Sequence, residues 1–206
     1  MSLSAVELWN QTGFLALNAG AQAPAFLIMP ARLIAGWSVL LVIALLIATW
    51  VRRTRDTRFA LLDATGAALL GLGIAQVITR LWYHPRPFEM GLGRQLLDHA
   101  AEASFPSDHA TLLFSLALPL ICQRRTRRLG IAFLIMGFAV AWSRIYLGVH
   151  FPLDMIGAMV VAGLATHLIR MIAQHLRPLF YPRLISIYEH VLRHLRLPAA
   201  VFPRNL

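Results

Sequence analysis

Long apolar runs separated by short polar joints set the pattern along this chain. Five runs, at about 31–51, 59–79, 109–122, 129–147 and 153–175, reach or approach the roughly 20 apolar residues that a membrane-crossing helix needs. The third is short and interrupted by Pro119, and it extends backwards through Phe105. Residues 3–20 mix Leu, Trp and Phe with Glu7, Asn10, Gln11 and Asn18, which reads as a helix lying on the interface or a short re-entrant one, with a sixth span as the weaker alternative. Near the C-terminus, 183–197 sets Leu184, Ile185, Ile187, Tyr188, Val191, Leu192 and Leu195 among basic residues, the spacing of an amphipathic helix on an anionic leaflet; a solvated tail is the bland alternative. Lipid-exposed backbone must satisfy its own hydrogen bonds, so the expected fold is all-α. It is an integral membrane helical bundle of five (at most six) transmembrane helices, with an N-terminal interfacial helix and a C-terminal amphipathic helix, in one membrane-embedded domain over 1–206.

The joints decide orientation. Arg52, Arg53, Arg55 and Arg58 separate the first two runs, and Arg124, Arg125, Arg127 and Arg128 separate the third and fourth. Arg170, Arg177, Arg183, Arg193, Arg196 and Arg204 close or follow the fifth. Alternating spans put all three groups on one side, and the positive-inside rule makes that side cytoplasmic. Only Arg32, Arg80, Arg86, Arg94 and Arg144 are left for the other.

Composition agrees. Hydrophobic residues make up 58% of the 206 and charged ones 14%, with mean hydropathy +0.65; soluble domains carry about a quarter charged residues. A net charge of +10 would suggest nucleic acid in a soluble protein; here it is a topology signal, and no nucleic-acid partner is expected. All 19 basic residues are arginine. Residues 1–24 hold none, so the charged first region of a cleavable signal peptide is missing and targeting is expected from the first span. Cys122 is the single cysteine, which leaves no disulfide framework and no cysteine-ligated metal cluster.

Polar side chains are costly near a membrane and need a partner or a purpose. They gather in three places, all on the side away from the arginine clusters: Arg80 to Phe88, Ser104 to His109, and Ser143 to Asp154. Topology therefore brings three distant segments to one depth. Guanidiniums offer planar forks of donors that match phosphate oxygens. Pro106-Ser107-Asp108 reads as a helix start, with free N–H groups for an anion. His150 and Asp154 are four apart and share a helical face, so the carboxylate can fix the imidazole's tautomer. His84 reads as a flanking loop histidine, and Glu89, Asp98 and Glu102 as solvated loop residues.

Together these segments resemble the motifs of the type 2 phosphatidic acid phosphatase superfamily, which includes the soluble vanadate haloperoxidases. The third motif, Ser143-Arg144 with His150 and Asp154, matches without a gap. The second is a Pro-Ser-Gly-His pattern with Asp108 in place of glycine, similar to bacterial undecaprenyl-diphosphate phosphatases of the bacitracin-resistance type. In the first, Thr79 stands where the family has lysine, and Arg80 follows one residue later. The resemblance covers about 59–175. It implies His150 as nucleophile forming a phosphohistidine, Asp154 holding its other ring nitrogen, and His109 as acid to the leaving oxygen. It further implies Arg80, Arg86, Ser107 and Arg144 as the phosphate cradle, with Asp108 and Ser143 as accessory residues, and a scheme with no metal and no cofactor. Asp108, an acid beside a phosphate site, is expected to pair with Arg80 or Arg86.

The implied reaction is hydrolysis of undecaprenyl diphosphate to undecaprenyl phosphate and inorganic phosphate, at the outer (periplasmic) face of a bacterial plasma membrane. The partners are then the lipid substrate, polyprenyl or phospholipid, and the surrounding membrane. Two other enzyme readings stay open: a broad lipid phosphatase acting on phosphatidylglycerol phosphate or phosphatidic acid, and a phosphotransferase to lipid A. A transporter or anion-binding protein is the reading from another class, against which stand the lack of an internal repeat and the position of the polar motifs at span ends.

Overall fold

The computed structural model describes residues 4–196, and those residues form helices and loops with no strand. Arg204 and the outer ends of 3–20 and 183–197 lie outside the described residues. The helices are α1 (Ala5–Leu17), α2 (Ala25–Arg52), α3 (Arg55–Leu81), α4 (Asp108–Ile121), α5 (Arg127–Tyr146), α6 (Pro152–Leu179) and α7 (Tyr181–His194). Four of them, α2, α3, α5 and α6, are long and apolar enough to cross a membrane. The α4 helix is apolar but has only 14 residues, and it starts at Asp108 rather than reaching back to Phe105. At 1.5 Å per residue it extends roughly 21 Å, against about 30 Å for the hydrocarbon core.

That short helix is the centre of the bundle. It packs against α3, α5 and α6, and Ala110, Leu113, Phe114, Ala117 and Leu120 are all 1% exposed or less. Small residues let the neighbours come close: a Cβ on Gly137 of α5 would lie 2.7 Å from the Phe114 ring. The outer α2 buries a narrow stripe, Ala31, Ala35, Ser38 and Val42, and turns Leu33, Trp37, Leu40 and Ile47 outward. A helix apolar all round with one small-residue seam suits packing in lipid.

Helix α1 docks on α5 and α6. Ser4 caps it by accepting from the Glu7 amide at 3.2 Å. Asn10 and Phe14 are its buried face, and Val6, Leu8, Trp9 and Leu15 point outward. At its end the Asn18 side-chain amide donates to the carbonyls of Arg94 (3.0 Å) and Tyr146 (3.1 Å), and its oxygen accepts from the Arg94 amide (2.7 Å). One side chain thus joins α1, the end of α5 and the loop after α3.

At the opposite end, α7 is held by buried charge. Asp63 of α3, 1% exposed, accepts from Gln123, Arg177 and the Tyr181 hydroxyl. Arg58, read from sequence as one of a basic topology cluster, is 1% exposed. Its Nε donates to the Trp50 carbonyl at 3.0 Å, its guanidinium lies 4.9 Å from the Tyr188 ring centroid, and it faces Glu189 at 3.9 Å. The amphipathic face of α7 brought Tyr188 and Glu189 to it, which charge patterning along α3 alone does not reveal.

The α5–α6 turn depends on Gly148, whose φ of +82° is unfavourable for residues with a Cβ, and whose added Cβ would run into the Arg94 carbonyl. Gly148→Ala is expected to lower stability by at least about 1–2 kcal/mol from the left-handed backbone alone. A lower thermal midpoint in detergent, accompanied by loss of activity, is the readout; an unchanged midpoint would contradict it.

Candidate active site

Because α4 is short, its N-terminus lies in a recess at one end of the bundle, and the 26 residues of the loop 82–107 between α3 and α4 fill it. A cavity of about 490 Å³ opens there. Arg80, Arg86, Asp108, His109 and His150, all read from sequence, line it. So do Gln76, Thr79, Tyr83, His99 and Glu102, which were not assigned to the site.

His150 sits in the loop between α5 and α6 and is 3% exposed. Its Nδ1 lies 3.0 Å from Asp154 Oδ2, on the first turn of α6. Its Nε2 lies 3.1 Å from Arg86 Nη1. A carboxylate only accepts and a guanidinium only donates, so Nδ1 carries the proton and Nε2 keeps its lone pair. Burial pushes the His150 imidazole down to about 4, against the pull of Asp154. The ring is therefore neutral at neutral pH.

Asp154 Oδ2 also accepts from the Ser104 hydroxyl and from the Phe151 amide at 2.8 Å. Ser104 belonged to the second motif but carried no sequence signal for this role. Arg86 is 5% exposed and bonds through its guanidinium to the carbonyls of Val149 (2.9 Å) and Ala103 (3.4 Å), while its own amide donates to Glu89 (2.8 Å). Arg144 is 4% exposed, donates to the Ala35 carbonyl at 3.2 Å and is not among the residues that line the cavity. Ser107 is the N-cap of α4 by position, yet its buried hydroxyl makes no capping bond and has no protein partner. Ser143 turns its hydroxyl back to the Val140 carbonyl at 2.8 Å.

Two details differ from expectation. Asp108 pairs with neither Arg80 nor Arg86 among the described residues; it accepts from Gln76 Nε2 at 3.0 Å. Gln76 lies one helical turn before Arg80 on α3, so the amide reaches the carboxylate first. The second is His99, whose ring centroid is 6.1 Å from that of His150. Burial, then the Arg86 cation, hold His99 below the ordinary histidine value, and its Nδ1 donates to the Ala100 carbonyl at 3.2 Å. Nothing in its local sequence marks it, since the loop geometry alone brings it in. His84 is absent from this cavity and faces Glu7 of α1. Among the described residues no group of three His, Cys, Asp or Glu is placed to hold a metal ion.

Fold and site together define a multi-span membrane protein with a cavity, lined by arginines, histidines and two acids, at one end of a helical bundle. The profile described as PAP2 superfamily matches residues 76–178, which include every one of these cavity residues. Undecaprenyl-diphosphatase BcrC of Bacillus subtilis (strain 168) is 36% identical over 151 residues, 73% of this chain and 77% of the relative. The chain belongs to the PAP2 superfamily, as a membrane-embedded phosphatase. Two solved structures share the fold at 21% identity. Aquifex aeolicus LpxE has a TM-score of 0.63 over 79% of this chain and 94% of that one. A transmembrane PAP2 type phosphatidylglycerolphosphate phosphatase from Bacillus subtilis has 0.56 over 84% and 88%.

The Asp154 bond carries a consequence for substitution. Asp154→Asn keeps the shape but offers an amide N–H or a weaker acceptor to Nδ1, which lets the proton move to Nε2 and removes the lone pair. Turnover is expected to fall by roughly 10³–10⁴, as in other His–Asp pairs, with the protein still folded; a loss under tenfold in steady-state assays would contradict the tautomer assignment.

Proposed function

We propose that the protein hydrolyses undecaprenyl diphosphate to undecaprenyl phosphate and inorganic phosphate through a phosphohistidine on His150, acting as a single domain with its cavity at the outer face. The observation that carries this reading is the neutral His150, with Nδ1–H tied to Asp154 and the Nε2 lone pair set against Arg86 in the cavity. BcrC, named for this activity, supports the substrate.

The chemistry follows from the site. A terminal phosphoryl group entering between Arg86 and His150 takes over the guanidinium N–H bond and meets the Nε2 lone pair. A bond forms from Nε2 to phosphorus as the bond from phosphorus to the bridging oxygen breaks. His109, which takes up a proton once the anionic phosphoryl group lies beside it, gives that proton to the departing oxygen, and Asp154 stabilises the cation formed on His150. Water then attacks the phosphohistidine, gives its proton to His109, and inorganic phosphate leaves. Arg80 and Arg86, which line the cavity, supply donors to the phosphoryl oxygens, the unpartnered Ser107 hydroxyl adds another, and Arg144 contributes positive charge. The lipid tail has a path: Val77, Leu81 and Trp82 are 50–82% exposed beside the cavity-lining Thr79, Arg80 and Tyr83. The arginine-rich joints at the far end support a cytoplasmic assignment for that side and an outward-facing cavity.

Phosphate release from undecaprenyl diphosphate by detergent-purified protein is expected to survive EDTA and to vanish in His150→Ala. Activity is expected to hold from neutral pH to about 5 and to fall as pH drops through about 4, where His150 gains its proton. Release confined to phosphatidic acid or phosphatidylglycerol phosphate would overturn the substrate and leave the mechanism; an active His150→Ala would overturn the mechanism. His109→Ala is expected to retain more activity on the diphosphate than on a lipid monophosphate, because phosphate is a better leaving group than an alkoxide. Equal losses on both would count against that role.

A further inference from the structure

Behind Asp154, away from the cavity that holds His150, is a second and smaller cavity of about 150 Å³. Glu7 and Asn10 of α1, Trp82, His84, Phe105 and Asp154 line it. Three of these residues carry buried polar atoms with no protein partner: Asp154 Oδ1, Asn10 Nδ2 and His84 Nδ1. Buried polar atoms are nearly always paired, so three from the lining of one cavity point to a shared bridging group. Asn10 and Asp154 are both 0% exposed. The space far exceeds the roughly 10–15 Å³ that one water requires, and three polar partners is the usual number for a buried water.

We propose that Glu7, Asn10 and His84 are positioning residues that act on Asp154 through water held in this cavity. His84 Nε2 lies 3.4 Å from Glu7 Oε2, so in the neutral ring Nε2–H donates to Glu7 and Nδ1 keeps its lone pair. A water then accepts from Asn10 Nδ2 and donates to Asp154 Oδ1 and His84 Nδ1. Both oxygens of Asp154 are in this way hydrogen-bonded, Oδ2 by His150, Ser104 and Phe151, and Oδ1 from behind. The carboxylate stays oriented as positive charge appears on His150. Asn10 serves twice, because its Oδ1 also accepts from the Leu153 amide at 3.0 Å and seats α1 on the start of α6. Helix α1 lies outside the residues matched to the superfamily, so this would be a contribution of this chain's own N-terminal segment to the site.

The inference rests on the reading of His150 and Asp154 given above. Its test is kcat and KM of the full chain on undecaprenyl diphosphate, with phosphatidic acid assayed beside it, for His84→Phe, His84→Asn, Asn10→Asp and His150→Ala. His84→Phe fills the ring volume without nitrogens, and His84→Asn restores a polar group near Nδ1. Asn10→Asp keeps the acceptor for Leu153 and removes the donor. His84→Phe and Asn10→Asp are expected to lower kcat about 10- to 100-fold, the usual effect of losing a supporting hydrogen bond behind a ligand, with KM within about twofold, and His84→Asn to recover most of the loss. Wild-type kcat in His84→Phe, a change in KM alone, or no recovery in His84→Asn overturns the relay. Should His84→Phe fail to fold, judged by its thermal midpoint, wild-type kcat in Asn10→Asp overturns it instead. An active His150→Ala marks failure of the underlying mechanism, whereas a dead His150→Ala beside unaffected relay variants marks failure of the relay alone.

Discussion

The site depends on a carboxylate buried away from bulk solvent. Asp154 is 0% exposed, and an ion in that position is tolerable only when its lone pairs are taken up by donors. Its Oδ2 collects the Ser104 hydroxyl, the His150 Nδ1–H and the Phe151 amide. Those three donors come from the loop 82–107 and the α5–α6 turn, and Asp154 itself from α6. Satisfying one ion therefore ties two connections to one helix. The same bonds choose the His150 tautomer, so the electrostatic requirement of the fold and the chemical requirement of the site are met by one arrangement.

Helix length does the rest. Because α4 stops short, the bundle has a recess at one end that a full-length span would have filled, and the loop 82–107 drops into it carrying Arg86, His99 and Ser104. The Asn18 amide pins this loop to the ends of α1 and α5, and Gly148 lets the backbone of Arg94 come against the α5–α6 turn. Packing rather than local propensity holds the loop, since it contains no helix of its own.

How much of this was legible beforehand follows from the distance over which each interaction acts. The apolar runs located the helices to within a few residues, except that α2 begins at Ala25 and α4 does not include Phe105. Arg80, Arg86, His109, His150 and Asp154 stood out because ionisable groups are conspicuous in an apolar chain, and the shared face of His150 and Asp154 is a property of helical spacing. Partners far apart in sequence were not readable. Ser104 meets Asp154 across 50 residues, and Tyr181 meets Asp63 across 118. Asp108 was assigned an arginine by charge, but Gln76 occupies the nearer position. Arg58 looked like one more basic residue in a joint and turned out to lie under α7, because an amphipathic helix can supply an aromatic face and an acid that sequence position does not predict.

The buried arginines at the two ends of the bundle are held in different ways. At the far end guanidiniums meet carboxylates: Arg58 faces Glu189, Arg177 bonds Asp63, and Arg125 bonds Asp56. At the cavity end the buried guanidiniums of Arg86 and Arg144 meet carbonyls instead, those of Val149, Ala103 and Ala35. A carbonyl satisfies the N–H geometry and leaves the charge in place, whereas a carboxylate cancels it. Where Arg86 does approach an acid, it is the backbone amide, not the guanidinium, that binds Glu89. On the proposed reading, the positive charge held this way attracts the phosphoryl group, and the guanidinium of Arg86 is already oriented for it by the carbonyl bonds that bury it.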